Sequence, residues 1–145
     1  MIINLKKVNE NAIIPTRGSE FAAGYDLYAC IDEDVKIKAG ETCKIPTGIA
    51  VEIPEGYAGL VYARSGLASK KGLAPANKVG VVDADYRGEI LVFIHNHSNV
   101  DAVIEKGERV AQLVVTPFLS VEFNEVSELS DTVRGAGGFG STGRK

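Results

Sequence analysis

An all-β fold, a sandwich or a barrel, is what this sequence predicts, and three observations predict it. Short apolar runs rich in β-branched residues recur along the chain. Glycine and proline punctuate them at close intervals. A single segment has helical character. Many short strands at such spacing, with turn signals between them, mark antiparallel all-β architectures.

The elements follow in order. Val35–Lys38 is closed by Ala39-Gly40. Ile45-Pro46 leads into an alternation of Ile49, Val51 and Ile53, which stops at Pro54-Glu-Gly56, and Tyr57–Ala63 follows at once. Ile90-Leu-Val-Phe-Ile94 is apolar at every position, which predicts a central strand buried on both faces. Val100–Ile104 ends at Lys106-Gly107, Val110–Val115 ends at Pro117, and Val121–Val126 alternates as a further strand. The exception is Ser65–Lys71, long enough for two helical turns. Ser65 is placed to cap its start and Gly72 to end it. With Arg64 directly before it, this start gathers backbone N–H groups, a hydroxyl and a guanidinium, as suits an anion, although an ordinary capped helix has the same sequence.

At 145 residues the chain fits one domain and can bury roughly two-thirds of the surface its unfolded form exposes. Its net charge of −3 argues against a general nucleic-acid binder. No stretch is long and apolar enough to span a bilayer as a helix, and Met1–Lys7 lacks the apolar region and cleavage site of a secretory signal. Cys30 and Cys43 fit no metal spacing and read as free thiols of a reducing compartment, the cytoplasm. His95 and His97 share a strand face but lack further ligands, so they mark a strand end where Asn96 and Ser98 begin a turn.

The segment from Arg134 to Lys145 carries five glycines, one aromatic, two hydroxyls and three basic residues. It is too polar to build a core and suits a flap that orders on a phosphorylated, ring-bearing ligand, although a frayed terminus would share this composition. Gly135, Gly137 and Gly140 match G-x-G-x-x-G, but with five residues left no helix can follow. The P-loop reading fails for the same reason and lacks the lysine.

Four polar residues stand in unexpected places. Asp83 follows two valines in Gly80–Gly88 and is expected to emerge from a sheet at a partly buried point, where a carboxylate can hold a water and take its proton. Tyr86 is aromatic where a turn needs nothing aromatic, while Asp85 suits the turn itself. Gln112 interrupts an apolar run, and its amide needs backbone or ligand partners. Asp26 sits in the aromatic and apolar stretch Ala23–Tyr28.

Five segments in order, Ala23–Ala29, Ala63–Ala68, Gly80–Ile90, Gly107–Gln112 and Arg134–Gly143, together resemble the motifs of the trimeric deoxyuridine triphosphatases, the dUTPase family. The resemblance spans nearly the whole chain. It implies a jelly-roll-like β-sandwich over residues 1–126, and an arm over 127–145 that closes the active site of a neighbouring subunit. It further implies a homotrimer whose active sites are each built from three chains.

The reaction it implies is dUTP plus water giving dUMP and pyrophosphate, which keeps uracil out of DNA and supplies dUMP for thymidylate synthesis. By the same resemblance, Asp83 orients and deprotonates the water that attacks the α-phosphorus and holds the sugar 3′-hydroxyl. Tyr86 lies against the deoxyribose and excludes a 2′-hydroxyl. Asn77, Gly80 and Val82 form the edge that reads uracil. Arg64, Ser65, Gly66 and Gln112 bind the phosphates, which Mg²⁺ coordinates with Asp26 as partner through its waters. From the arm, Phe139 covers the uracil ring, with Gly140 beside it, and Arg134, Ser141 and Thr142 reach the terminal phosphates. No nucleic-acid or membrane partner is expected. Two alternatives stay open: a deoxycytidine triphosphate deaminase of the same fold, and a member acting as a regulatory or interaction module.

Overall fold

In the computed structural model, which describes residues 1–138, the chain forms twelve strands and one helix. The strands are β1 (Asn4–Lys7), β2 (Thr16–Arg17), β3 (Tyr25–Tyr28), β4 (Val35–Ile37), β5 (Thr42–Pro46), β6 (Ile49–Glu52), β7 (Tyr57–Tyr62), β8 (Leu73–Pro75), β9 (Val79–Val82), β10 (Leu91–Asn96), β11 (Ala102–Ile104) and β12 (Arg109–Pro117). The helix, α1 (Ser65–Lys71), lies between β7 and β8. All strand pairs are antiparallel. The largest sheet runs β2-β3-β12-β7-β9; β5-β10-β8 form a second, and β1-β6 and β11-β4 are two-stranded. This all-β arrangement with one short helix agrees with the sequence expectation.

The core lies between the sheets. Leu27, Ile45, Leu73, Ile94, Ile104, Val110 and Ala111 have no exposed surface. Gly40, Gly56 and Gly107 close the turns at positive φ, as their places after strands predict. Asn96, fully buried at the end of β10, spends its whole amide on the turn that follows. Its Nδ2 donates to the carbonyls of Ile37 and Val100, and its Oδ1 accepts from the backbone N–H and the hydroxyl of Ser98. That is why the strand stops there.

Four expectations are corrected. Arg64, with extended φ and ψ, holds the N-cap position of α1, so Ser65 is the first helical residue and no side chain caps the helix. Gly72 does end it, at φ 67°. β10 is buried on one face only: Ile90, Val92 and Ile94 are in the core, but Leu91 and Phe93 are 40% and 50% exposed. Val121–Val126 forms no strand, and Phe123 is 98% exposed. An alternating segment needs a paired edge to become a strand, and among the described residues no strand pairs with it. Asp83 is exposed rather than partly buried, because β9 ends at Val82 and the turn carrying the carboxylate projects past the sheet.

Candidate active site

Two clefts gather the polar residues singled out from the sequence. The first, about 380 Å³, lies where β3, β12 and the start of α1 meet, and is lined by Gly24, Asp26, Tyr62, Arg64, Ser65, Gly66, Arg109 and Gln112. A row of facing residues crosses the sheet here. Thr16 and Gln112 flank Asp26, and Tyr62 flanks Gln112 on its other side. Residues directly opposite in antiparallel strands share a face.

Arg109 joins that face through a β-bulge. Tyr28 pairs with Arg109 and Leu27 with Ala111, so Val110 is the extra residue on β12. Arg109 and Gln112 are three apart and would face opposite sides of a regular strand. The bulge puts both in the cleft and turns both Val110 and Ala111 into the core, each with no exposed surface.

Asp26 organises the basic groups. Its side chain is 12% exposed. It accepts from Arg64 Nε at 2.7 Å and from Arg109 Nη1 at 3.2 Å, one guanidinium on each oxygen. Two charged donors keep a nearly buried carboxylate paired, while the remaining N–H groups of the half-exposed Arg109 are free to meet an anion. Gln112 donates from Nε2 to the carbonyl of Ala63 at 2.8 Å, which locks its rotamer against the start of α1. The hydroxyl of Ser65, released from capping, and the open backbone at Gly66 complete this wall. The arrangement, two guanidiniums beside a helix start, has the chemistry to receive an anion.

The second cleft, about 350 Å³, lies at the β9–β10 hairpin and is lined by Val61, Asn77, Gly80, Val82, Asp83, Tyr86, Glu89 and the edge of β10 among others. The carbonyl of Asp83 accepts from the backbone N–H of Tyr86, which closes the turn. Tyr86 folds back over Gly88, where a Cβ would overlap its ring, and its hydroxyl donates to the carbonyl of Glu89 at 2.9 Å. Arg87 ties down the same turn by donating to the carbonyls of Ala84 and Tyr86 and to Glu52 on β6. The turn at Asn77 is held by Lys78 at φ 67°, with the backbone N–H of Lys78 donating to Pro75.

The clefts share no lining residue. Tyr62 lines the first and its neighbour Val61 the second, and successive residues of a strand point to opposite faces. One protomer therefore presents its basic cleft and its carboxylate cleft as two separate sites. Arg134 is exposed and donates from Nε to the carbonyl of Gly137, away from both clefts. Phe139, Gly140, Ser141 and Thr142 lie outside the described residues.

No group of three or more His, Cys, Asp or Glu placed to hold a metal exists among the described residues. Asp26 is the one acid in the basic cleft, and each of its oxygens already accepts a guanidinium. The donor set fits a hydrated cation carried mainly by a ligand's own oxygens, with Asp26 accepting from a metal-bound water. It does not fit a protein-caged ion.

Arg109 is a charged side chain of this cleft that the sequence reading left without a role. The local signal was the pair Val110-Ala111, two apolar residues in succession between two polar ones, where regular alternation allows one.

A family model described as dUTPase matches residues 10–143. The chain is 49% identical over 145 residues, all of both chains, to a deoxyuridine 5'-triphosphate nucleotidohydrolase of Hydrogenobaculum sp. (strain Y04AAS1). Its structure is similar to that of a Staphylococcus bacteriophage 80alpha dUTPase mutant with dUpNHpp, with a TM-score of 0.88, 34% identity and 98% of each chain covered. It is also similar to a mutant dUTPase from phage phi11 of S. aureus, described as revealing the coordination of a structural Mg(II) ion (TM-score 0.78, 30% identity, 88% of this chain and 98% of that one covered).

Proposed function

The chain belongs to the dUTPase family, and from that premise we infer that it is a dUTP diphosphatase, hydrolysing dUTP to dUMP and pyrophosphate. One observation carries the assignment of roles. The chain has one cleft with a carboxylate on a tethered turn beside an aromatic ring, and another with two guanidiniums held on one carboxylate. The first suits a nucleoside and the water that attacks its α-phosphorus; the second suits a polyphosphate.

In this reading Asp83 accepts the proton of the attacking water, and the bond from the α-phosphorus to the bridging oxygen breaks to release pyrophosphate. Tyr86, fixed by Gly88 and Glu89, presents its open side to the deoxyribose. Asn77 and the backbone at Gly80 and Val82 read the uracil edge. A site built to hydrogen-bond one edge rejects a mismatched one by up to roughly ten-thousand-fold or more. Arg64, Ser65, Gly66, Gln112 and the newly assigned Arg109 bind the phosphate chain. Mg²⁺, with Asp26 as outer partner, supplies charge neutralisation when bound to that chain.

Because the two clefts are separate and share no lining residue, a substrate that uses both groups of residues is best served by two copies of the chain. This supports a homotrimer with shared sites. So do the exposed Leu91 and Phe93 at the rim of the hairpin cleft, and the unpaired alternating segment Val121–Val126. Residues 127–145 are then the arm, carrying Arg134, Phe139, Gly140, Ser141 and Thr142 to a neighbour's substrate. The chain acts in the cytoplasm, in keeping with its free thiols at Cys30 and Cys43.

The test is ³¹P NMR of dUTP with the purified protein and Mg²⁺, with dCTP, dTTP and UTP in parallel. Pyrophosphate and dUMP from dUTP alone are expected. Orthophosphate release, or equal turnover of all four, would remove the hairpin as the specificity element.

A further inference from the structure

Beside the basic cleft, outside its lining, stands an ion pair that none of the catalytic roles uses. Lys71 is the last residue of α1. All three hydrogens of its ammonium are engaged: Nζ donates to Glu108 Oε1 at 2.7 Å, to Glu108 Oε2 at 3.0 Å and to the carbonyl of Val103 at 2.8 Å. Glu108 is equally committed. Its Oε2 accepts from the backbone N–H of Glu105 at 2.9 Å, and its own carbonyl accepts from Ala29 on the way out of β3. The two side chains are 34% and 22% exposed, well short of a solvated surface pair.

The pair joins the two walls of the cleft from outside. α1 begins at Ser65, beside Arg64, and ends at Lys71. Glu108 directly precedes Arg109, where the bulge that turns Arg109 and Gln112 into the cleft begins. Neither Lys71 nor Glu108 lines the cleft, so any effect on bound phosphate passes through α1 and the start of β12. Fixing both ends this way sets the separation between the Arg64–Gly66 wall and the Arg109–Gln112 wall. Asp26 bridges the same walls on the inner side.

We propose that Lys71 and Glu108 are a positioning pair for the polyphosphate half of the site, holding the helix start and the bulged strand at the spacing a phosphate chain requires. The proposal rests on the assignment of the basic cleft to phosphate. It makes a directional claim: loosening the pair weakens phosphate recognition and leaves recognition by the hairpin cleft intact, because the hairpin is built on β9 and β10 and touches neither residue.

The experiment uses the full chain with Lys71→Met, Glu108→Gln, the double variant and Lys71→Arg. Isothermal titration measures Mg²⁺-pyrophosphate and dUMP separately, and steady-state kinetics measure dUTP. For Lys71→Met and Glu108→Gln we expect pyrophosphate affinity and KM for dUTP to worsen about tenfold, with dUMP affinity and kcat within about twofold of wild type. The double variant is expected to match the singles rather than sum them, and Lys71→Arg, which keeps the positive charge and offers a donor fork to the carboxylate, to recover most of the loss. Unchanged pyrophosphate affinity would overturn the proposal. So would equal loss of pyrophosphate and dUMP, since that is the signature of a pair that only holds the fold. If wild type did not turn over dUTP, the enzymatic reading would fall, while the pyrophosphate titration would still decide the role of the pair.

Discussion

Gly24 lies so close to Gln112 that a Cβ at position 24 would overlap the amide oxygen Oε1. Gly24 is the residue of the first motif whose lack of a side chain makes room for a residue of the fourth. Gly24→Ala should push Gln112 off its rotamer and break its hydrogen bond to the carbonyl of Ala63, at a cost of about 1–3 kcal/mol. We expect KM for dUTP to rise with little change in kcat. A variant whose melting temperature and KM both match wild type would show that Gln112 has another place to go.

Asp26→Ala removes the acceptor shared by Arg64 and Arg109 and leaves two guanidiniums facing each other across the cleft. Loss of one partner from a fully buried pair costs about 3–5 kcal/mol, and with Arg109 half-exposed we expect on the order of 2 kcal/mol here. Denaturant midpoints give the stability. The same variant separates the two roles of Asp26: if its only role is to hold the arginines, the dependence of turnover on Mg²⁺ concentration stays as in wild type. If it also partners a hydrated Mg²⁺, that dependence shifts to higher concentration.

Much of this site was legible in the sequence because each motif is local. The turn from Asp83 to Tyr86, the helix from Ser65 to Lys71 and the glycines that close turns are set by neighbours a few residues away. What the sequence hid depends on register. Arg109 reaches the cleft only because Val110 bulges against β3, a strand far away in the chain. The exposure of Asp83, Phe93 and Phe123 was missed for a related reason. Their apolar and turn patterns do not say where a strand ends or whether another strand lies alongside, and those are set by residues far away in the chain.

Asp101 gives a pH prediction. Its carboxylate accepts from Lys36 and from the backbone N–H of Ala39, and these bonds hold it below its ordinary range. A carboxyl that is more acidic folded than unfolded stabilises the fold above its unfolded pKa, and the benefit disappears as pH falls through the folded value. The window therefore opens at about pH 4 and extends downward. Melting temperatures of wild type and Asp101→Asn should differ at neutral pH and converge in acid. A gap that persists unchanged in strong acid, below the folded value, would assign the difference to something other than this titration.

Phe93 tests the assembly. Ile94 and Val92 fill the core while Phe93 is half-exposed beside the hairpin cleft, so Phe93→Glu should leave the protomer folded and place a charge on the face a neighbour would cover. We expect light scattering to report monomers and turnover to fall by more than about a hundredfold, since an unpaired charge at a packed interface costs several kcal/mol. A trimer with normal turnover would move the interface to another surface.

The role of Asp83 is the sharpest point to test, because its carboxylate stands exposed on a turn of the protomer. If Asp83 takes the proton of the attacking water, its usefulness comes from position. The turn closed by the backbone N–H of Tyr86 and braced by Arg87 sets where the carboxylate stands. Asp83→Asn keeps shape and hydrogen-bonding capacity but cannot accept that proton. Turnover should therefore fall by about 10²–10⁴-fold while affinity for a non-hydrolysable dUTP analogue stays within a few-fold of wild type. Arg87→Met keeps the carboxylate but frees the turn, and should lower kcat by a smaller factor with the same pH profile. If Asp83→Asn loses analogue affinity in step with rate, Asp83 mainly holds the sugar, and the water must be activated by another group of the assembled site.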